Sequence, residues 1–198
     1  MWRPTAPQFL KLIAGLWIFG TGEGLLVHSA LGNSPWVVLS EGVSEHTPLA
    51  VGAATVVISF FVLLCWIPLR QLPGLGTVAN AIVIGIAIDV MLPIYPDTGF
   101  VGDVAWVFVG IGLVAVGSGL YLTTRLGPGP RDGLMTGLHR RTGRSLRLVR
   151  TGIEASALTA GFLLGGTVGF GTLAFALLIG PGVQAAVGIV DRGDERPL

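Results

Sequence analysis

Arg131 and Asp132 follow directly on Gly127-Pro128-Gly129-Pro130 in a chain that is 52% hydrophobic and only 12% charged. A guanidinium beside a carboxylate, just past two Gly-Pro turns, is equipped to bind an anionic group. Arg131 would face the solute together with the exposed N–H groups of a helix starting at Pro130, while Asp132 orients it or caps that helix. The plainer reading is an interfacial helix whose arginines meet anionic lipid phosphates, worth about 1 kcal/mol each. Two more acids, Glu23 and Asp89, lie inside apolar runs. Ionisable groups at membrane depth are costly and are therefore candidates for ion, proton or substrate sites. Each lies about 13 or 14 residues into an outward-running span, so a rise of about 1.5 Å per residue puts both at similar depth. A shared cation or proton site is expected, with His28 nearby. The structural alternatives are Asp89 at the interface, where Pro93 ends its helix, and Glu23 bonded to a neighbouring helix.

Other chemistries lack their residues. The one cysteine, Cys65, permits no disulfide framework or Cys-based metal site within one chain. No metal-ligand spacing, His-Glu-x-x-His string or nucleophile constellation is present, so no metal, no cofactor and no enzymatic activity are expected. Gly127-x-Gly129 superficially suggests a phosphate loop, but the lysine and flanking strand are missing. A net charge of +1 gives no reason to expect nucleic acid.

These residues need elements to hold them, and a mean hydropathy of +0.77 points to the bilayer. A hydrocarbon core of about 30 Å takes roughly 20 apolar helical residues. Six such spans are expected, at about 9–30, 49–69, 76–94, 101–124, 148–166 and 170–190. Six spans put all 12 Lys and Arg residues on one face, while Glu41, Glu45, Asp97 and Asp103 fall on the other. The positive-inside tendency then makes that basic face, both termini and the tail 191–198 cytoplasmic. The length of the first span and Glu23 within it argue against a cleaved signal peptide.

The chain also matches itself at a shift of 95 positions, the distance from Gly32 to Gly127. Gly15, Gly22, Gly24, Gly32, Gly42, Gly74, Gly76 and Gly85 fall on Gly110, Gly117, Gly119, Gly127, Gly137, Gly169, Gly171 and Gly180. Chance at this glycine content gives roughly two or three such pairs. Pro35 falls on Pro130, and "GLGTVANAIVIG" on "GFGTLAFALLIG". Repeat one covers about 9–95 and repeat two about 101–190 of a single membrane domain, 1–198. Three spans per repeat invert the second copy relative to the first, an arrangement common among secondary transporters. In each copy a span ends at Leu-Gly, a turn follows, and Pro35 or Pro130 opens a short helix, since proline suits the first helical turn. The expected fold is an all-α polytopic bundle of six transmembrane helices in two inverted three-helix repeats. Gly32, Pro35, Gly76, Gly127, Pro130 and Gly171 are its motif positions. Whether the short helices are interfacial or re-entrant stays open.

"GPGPRDGLMTGL", "PGLGTVANAIVIGIAIDVMLP" and "LGNSPW" make nearly the whole chain resemble the YczE-like group of bacterial integral membrane proteins, related to the YitT family. The resemblance implies a multi-span bacterial membrane protein and supplies no reaction or substrate. Members of the group often carry an acid after the Pro-Trp of the first copy, where this chain has Val37. The resulting expectation is a protein of the bacterial cytoplasmic membrane that transports a small solute or ion, as a monomer or a homodimer. Glu23, Asp89, Arg131 and Asp132 would form its binding site. The alternative is a non-transporting scaffold or regulatory partner acting through its Arg-rich loop, which also meets anionic headgroups.

Overall fold

The computed structural model describes residues 2–193, with side chains to 191. Most of the expected tail, including Arg196 and the Arg192 side chain, lies outside the described residues. Within them the chain is helical and has no strand. In order, the helices are α1 (Ala6–Ser29), α2 (Pro35–Glu45), α3 (Val51–Leu64), α4 (Trp66–Leu69), α5 (Leu75–Met91), α6 (Gly99–Thr123), α7 (Pro130–Thr142), α8 (Leu146–Leu163) and α9 (Phe170–Gly193). A 3-10 turn, Leu92–Ile94, follows α5.

Five segments among the described residues are long and apolar enough to cross a membrane: Ala6–Ser29, Val51–Leu69, Leu75–Ile94, Gly99–Thr123 and Phe170–Asp191. The chain is therefore an all-α membrane protein. The fifth expected span corresponds to α8, which is 18 residues long but is not among the five. Arg147, Arg150 and Glu154 lower its hydropathy. Glu154 accepts a hydrogen bond from Arg150 Nε at 3.0 Å, as their i, i+4 spacing favours.

Helix α1 is the axis of the bundle. Its first turn is fixed by a capping box: Thr5 N–H donates to Gln8 Oε1 at 3.0 Å, and Gln8 N–H to Thr5 Oγ1 at 3.4 Å. Leu12, Leu16 and Leu26 are fully buried. α1 packs against α6 in the antiparallel sense, Gly15 meeting Gly117 and Gly22 meeting Gly110. A Cβ at Gly22 would lie 2.5 Å from the Gly110 carbonyl oxygen, so only glycine lets the two backbones approach this closely. α5 flanks α1 and α9 flanks α6, while α2 packs on α8 and α3 on α5. Phe60, Phe61, Phe162 and Leu177 point outward, as side chains facing lipid do.

The turns after α1 and α6 share one construction. Ala30 (φ 52°) and Arg125 (φ 55°) take the left-handed conformation that ends each helix, and Gly32 (φ 114°) and Gly127 (φ 126°) follow. Each turn is then tied to the start of a distant helix. Gly171 N–H donates to Leu31 O at 2.7 Å, and Gly76 N–H donates to Leu126 O at 2.9 Å. The four motif glycines thus act in pairs, Gly32 with Gly171 and Gly127 with Gly76. Pro35 and Pro130 are the first residues of α2 and α7, where a missing N–H costs nothing.

Candidate functional site

Helices α2 and α7 begin at one cavity. Trp36 and Val37 from the first turn of α2 line it, as do Pro130 and Arg131 from α7, with Phe19 and Glu23 of α1 opposite. Ser40 of α2, Thr55 and Ser59 of α3, and Asn80 of α5 add neutral polar groups. The volume is about 60 Å³. A single water needs only about 10–15 Å³ by this measure, whereas pockets for drug-sized ligands run to about 300 Å³ or more. The space suits an ion with a few waters or a solute of a few heavy atoms.

Glu23 is 1% exposed. Its Oε1 accepts a hydrogen bond from Ser34 Oγ at 2.9 Å, and its Oε2 has no partner among the described residues. The Nε1–H of Trp36 is likewise buried and unpaired among them. Most buried polar atoms find a partner, so two orphans on one cavity, one acceptor and one donor, call for an explanation.

Arg131 is half-buried, with its guanidinium carbon 5.5 Å from the centroid of the Phe19 ring, within cation–π range. It makes no hydrogen bond or contact ion pair with another described residue. Burial works against its charge, but Asp132 first and Glu23 next outweigh that effect and hold the guanidinium in its charged form. Asp132 does not line the cavity. Its Oδ2 accepts a hydrogen bond from Tyr121 OH at 3.0 Å, which fastens α7 to α6. The start of α7 is further anchored where Trp66 Nε1 donates to Pro130 O at 2.9 Å and Thr77 Oγ1 donates to Pro128 O at 2.7 Å. These bonds hold Arg131 at the cavity wall without using its own N–H groups.

Of the four residues singled out by sequence, the structure brings Glu23 and Arg131 to one cavity, places Asp132 behind Arg131, and does not bring Asp89 there. The Asp89 carboxylate accepts hydrogen bonds from Gly52 N–H at 2.6 Å and Ala53 N–H at 2.9 Å. It caps the first turn of α3 from the flank of α5, satisfying two donors that a helix start leaves open. His28 is also elsewhere: its Nε2 hydrogen-bonds the Pro96 carbonyl at 3.1 Å, and its ring lies beside Tyr95. Burial pushes the Tyr95 phenol up to about 12, so it stays a neutral donor, to Thr21 O at 2.8 Å.

Ser34, Trp36 and Asn80 escaped the sequence reading of the site. The repeat offered one signal, because Trp36 is the counterpart of Arg131 at the 95-position shift. Glu41 was read only as an acid of the non-basic face. It takes three donors, Asn33 Nδ2 at 2.9 Å, Thr167 N–H at 2.6 Å and Thr167 Oγ1 at 2.9 Å, and so latches α2 to the turn before α9.

Comparison with known proteins agrees with a membrane protein of this kind. The chain is 42% identical over 193 residues to an uncharacterized protein of Haemophilus influenzae, covering 97% of this chain and 88% of the relative. It is 34% identical over 170 residues to the uncharacterized membrane protein YczE of Bacillus subtilis, covering 84% and 79%. It is 32% identical over 183 residues to the uncharacterized protein YyaS of the same organism, covering 90% and 91%. No solved structure matches. The model of a family of unknown function, DUF6198, matches residues 6–187, and the chain belongs to that YczE-like family.

Proposed function

We propose that this DUF6198 family member is a transporter-like protein of the bacterial cytoplasmic membrane that takes a small solute or ion into the Glu23–Arg131 cavity. The observation carrying this reading is a buried carboxylate with one unpartnered oxygen sharing a small cavity with a guanidinium that bonds no other described residue. Such groups are expensive inside a membrane protein, and function is the usual reason they are kept. The reading assigns no catalysis.

The architecture proposed with it is six crossings in two inverted three-helix repeats, both termini cytoplasmic. In support, Ala30, Gly32 and Arg70 have positive φ, and so do Arg125, Gly127 and Gly165, each 95 positions on. The bonds Gly76 to Leu126 and Gly171 to Leu31 correspond at the same shift. As a sixth crossing, α8 rises about 27 Å, close to a hydrocarbon core of about 30 Å. Its charges lie in its first half, where long side chains reach back to the interface. The short helices α2 and α7 read as re-entrant: Ser34, just before α2, bonds Glu23, well inside α1. Their N-termini then face a common midpoint, as discontinuous helices do around transporter sites.

Flux measurements in proteoliposomes over a panel of small ions and solutes test the function. At least one panel member should show saturable uptake that falls to background in both Glu23→Gln and Arg131→Gln. Uptake of every panel member at the rate of protein-free liposomes would contradict the reading.

A second reading rests on Arg140, Arg144, Arg147 and Arg150, all exposed. They suit anionic headgroups or an acidic partner, and would make the protein a scaffold. Co-purification of a stoichiometric partner from the native membrane, lost when Arg140 and Arg144 are neutralised, would favour it.

A further inference from the structure

We infer that the occupant of the cavity is a small zwitterion, a molecule of a few heavy atoms carrying one ammonium and one carboxylate, held with the ammonium at Glu23 and the carboxylate at Arg131. The inference rests on the reading of this cavity as a solute site and adds the class of solute.

The argument is one of charge and valence. Glu23 and Arg131 have opposite charges and line the same cavity, yet they do not form a contact ion pair. The fold holds them apart by separate means, Glu23 through Ser34 and the α7 start through Trp66 and Thr77. A lone cation at Glu23 would sit beside the Arg131 guanidinium and leave its N–H groups without an acceptor, and a lone anion at Arg131 would sit against the buried Glu23 carboxylate. A molecule with both charges meets each with its opposite and adds no net charge to a small cavity lined by a buried carboxylate. The unpaired atoms agree with this. Glu23 Oε2 can accept only from a donor, and Trp36 Nε1–H can donate only to an acceptor. Asp132 supports the Arg131 charge from outside the cavity while accepting from Tyr121 OH, and Glu154 accepts from Arg150, so neither carboxylate bonds the Arg131 N–H groups that face the occupant. Phe19, whose ring already faces the Arg131 guanidinium, and Trp36 complete the cavity wall. A volume of about 60 Å³ excludes large side chains on the occupant.

Glycine, methylammonium and acetate are the probes, added to the purified full-length protein in detergent and followed by thermal shift and titration calorimetry. Glycine should bind saturably and raise the melting temperature with concentration. Methylammonium and acetate, each holding half of the pattern, should bind roughly 10-fold or more weakly, since each forgoes a charge-assisted contact. Glu23→Gln and Arg131→Gln should each weaken glycine by a similar factor, while Gly112→Ala, on an open face, leaves it unchanged. Methylammonium binding as tightly as glycine, with Arg131→Gln inert, would overturn the inference in favour of a cation site. Acetate binding as tightly, with Glu23→Gln inert, would overturn it in favour of an anion site. Both outcomes leave the transport reading standing. Failure of all three probes also overturns the inference, and the separate flux assay then decides whether the transport reading falls with it.

Discussion

Glu23 shows how one residue separates folding from function. Glutamine at this position keeps an acceptor for Ser34 and removes a buried charge with an unmet oxygen. Glu23→Gln should therefore melt at the wild-type temperature or above it while losing solute uptake, the trade expected of a site residue. A variant that melts well below wild type would make Glu23 structural. Asp89 should behave in the opposite way. Asp89→Ala removes two acceptors from the first turn of α3 and should cost about 1–3 kcal/mol, read from denaturation in detergent, with uptake per folded molecule unchanged. Both acids stood out in the sequence for the same reason, a charge in an apolar run. Their separate fates were not legible there, because Asp89 meets the backbone of another helix and Glu23 a hydroxyl beyond a turn. Hydropathy and spacing carry no information about either partner.

At the scale of elements, glycine decides which helices touch. Gly22→Leu places a side chain where the Gly110 carbonyl stands, and should cost about 1–3 kcal/mol or more, seen as loss of monodisperse protein on size exclusion. Gly112→Leu, on the same α1–α6 pair but with nothing within 4 Å, should leave yield and elution unchanged. Equal damage from the two would mean that the crossing does not depend on close approach. The helices were largely readable in advance: α2 and α7 start at the prolines that announced them, and α1, α5, α6 and α9 follow the apolar runs. α8 matches the span expected at 148–166, but Arg147, Arg150 and Glu154 dilute its apolar content and keep it out of the five segments apolar enough to cross. That α2 and α7 begin at one cavity depends on tertiary contacts of Ser34, Trp66 and Thr77, which no local pattern encodes.

At the scale of the whole molecule, the proposed architecture inverts the two halves about the cavity, and transport through it requires the cavity to open to each side in turn. Inversion predicts that Thr47 and Thr142, exposed counterparts at the 95-position shift, lie on opposite faces. With Cys65 replaced by serine, Thr47→Cys should react with an impermeant thiol reagent from outside the cell, and Thr142→Cys only in inverted vesicles. Labelling of both from one side would refute the topology. Alternating access is tested most directly at Ser40, which lines the cavity, is 1% exposed, and among the described residues bonds only the Trp36 carbonyl of its own helix. In the Cys65→Ser background, Ser40→Cys should be modified by an impermeant reagent added to either face of the membrane, and excess substrate from the flux panel should slow both reactions. Modification from one face alone, or from neither, would contradict the account.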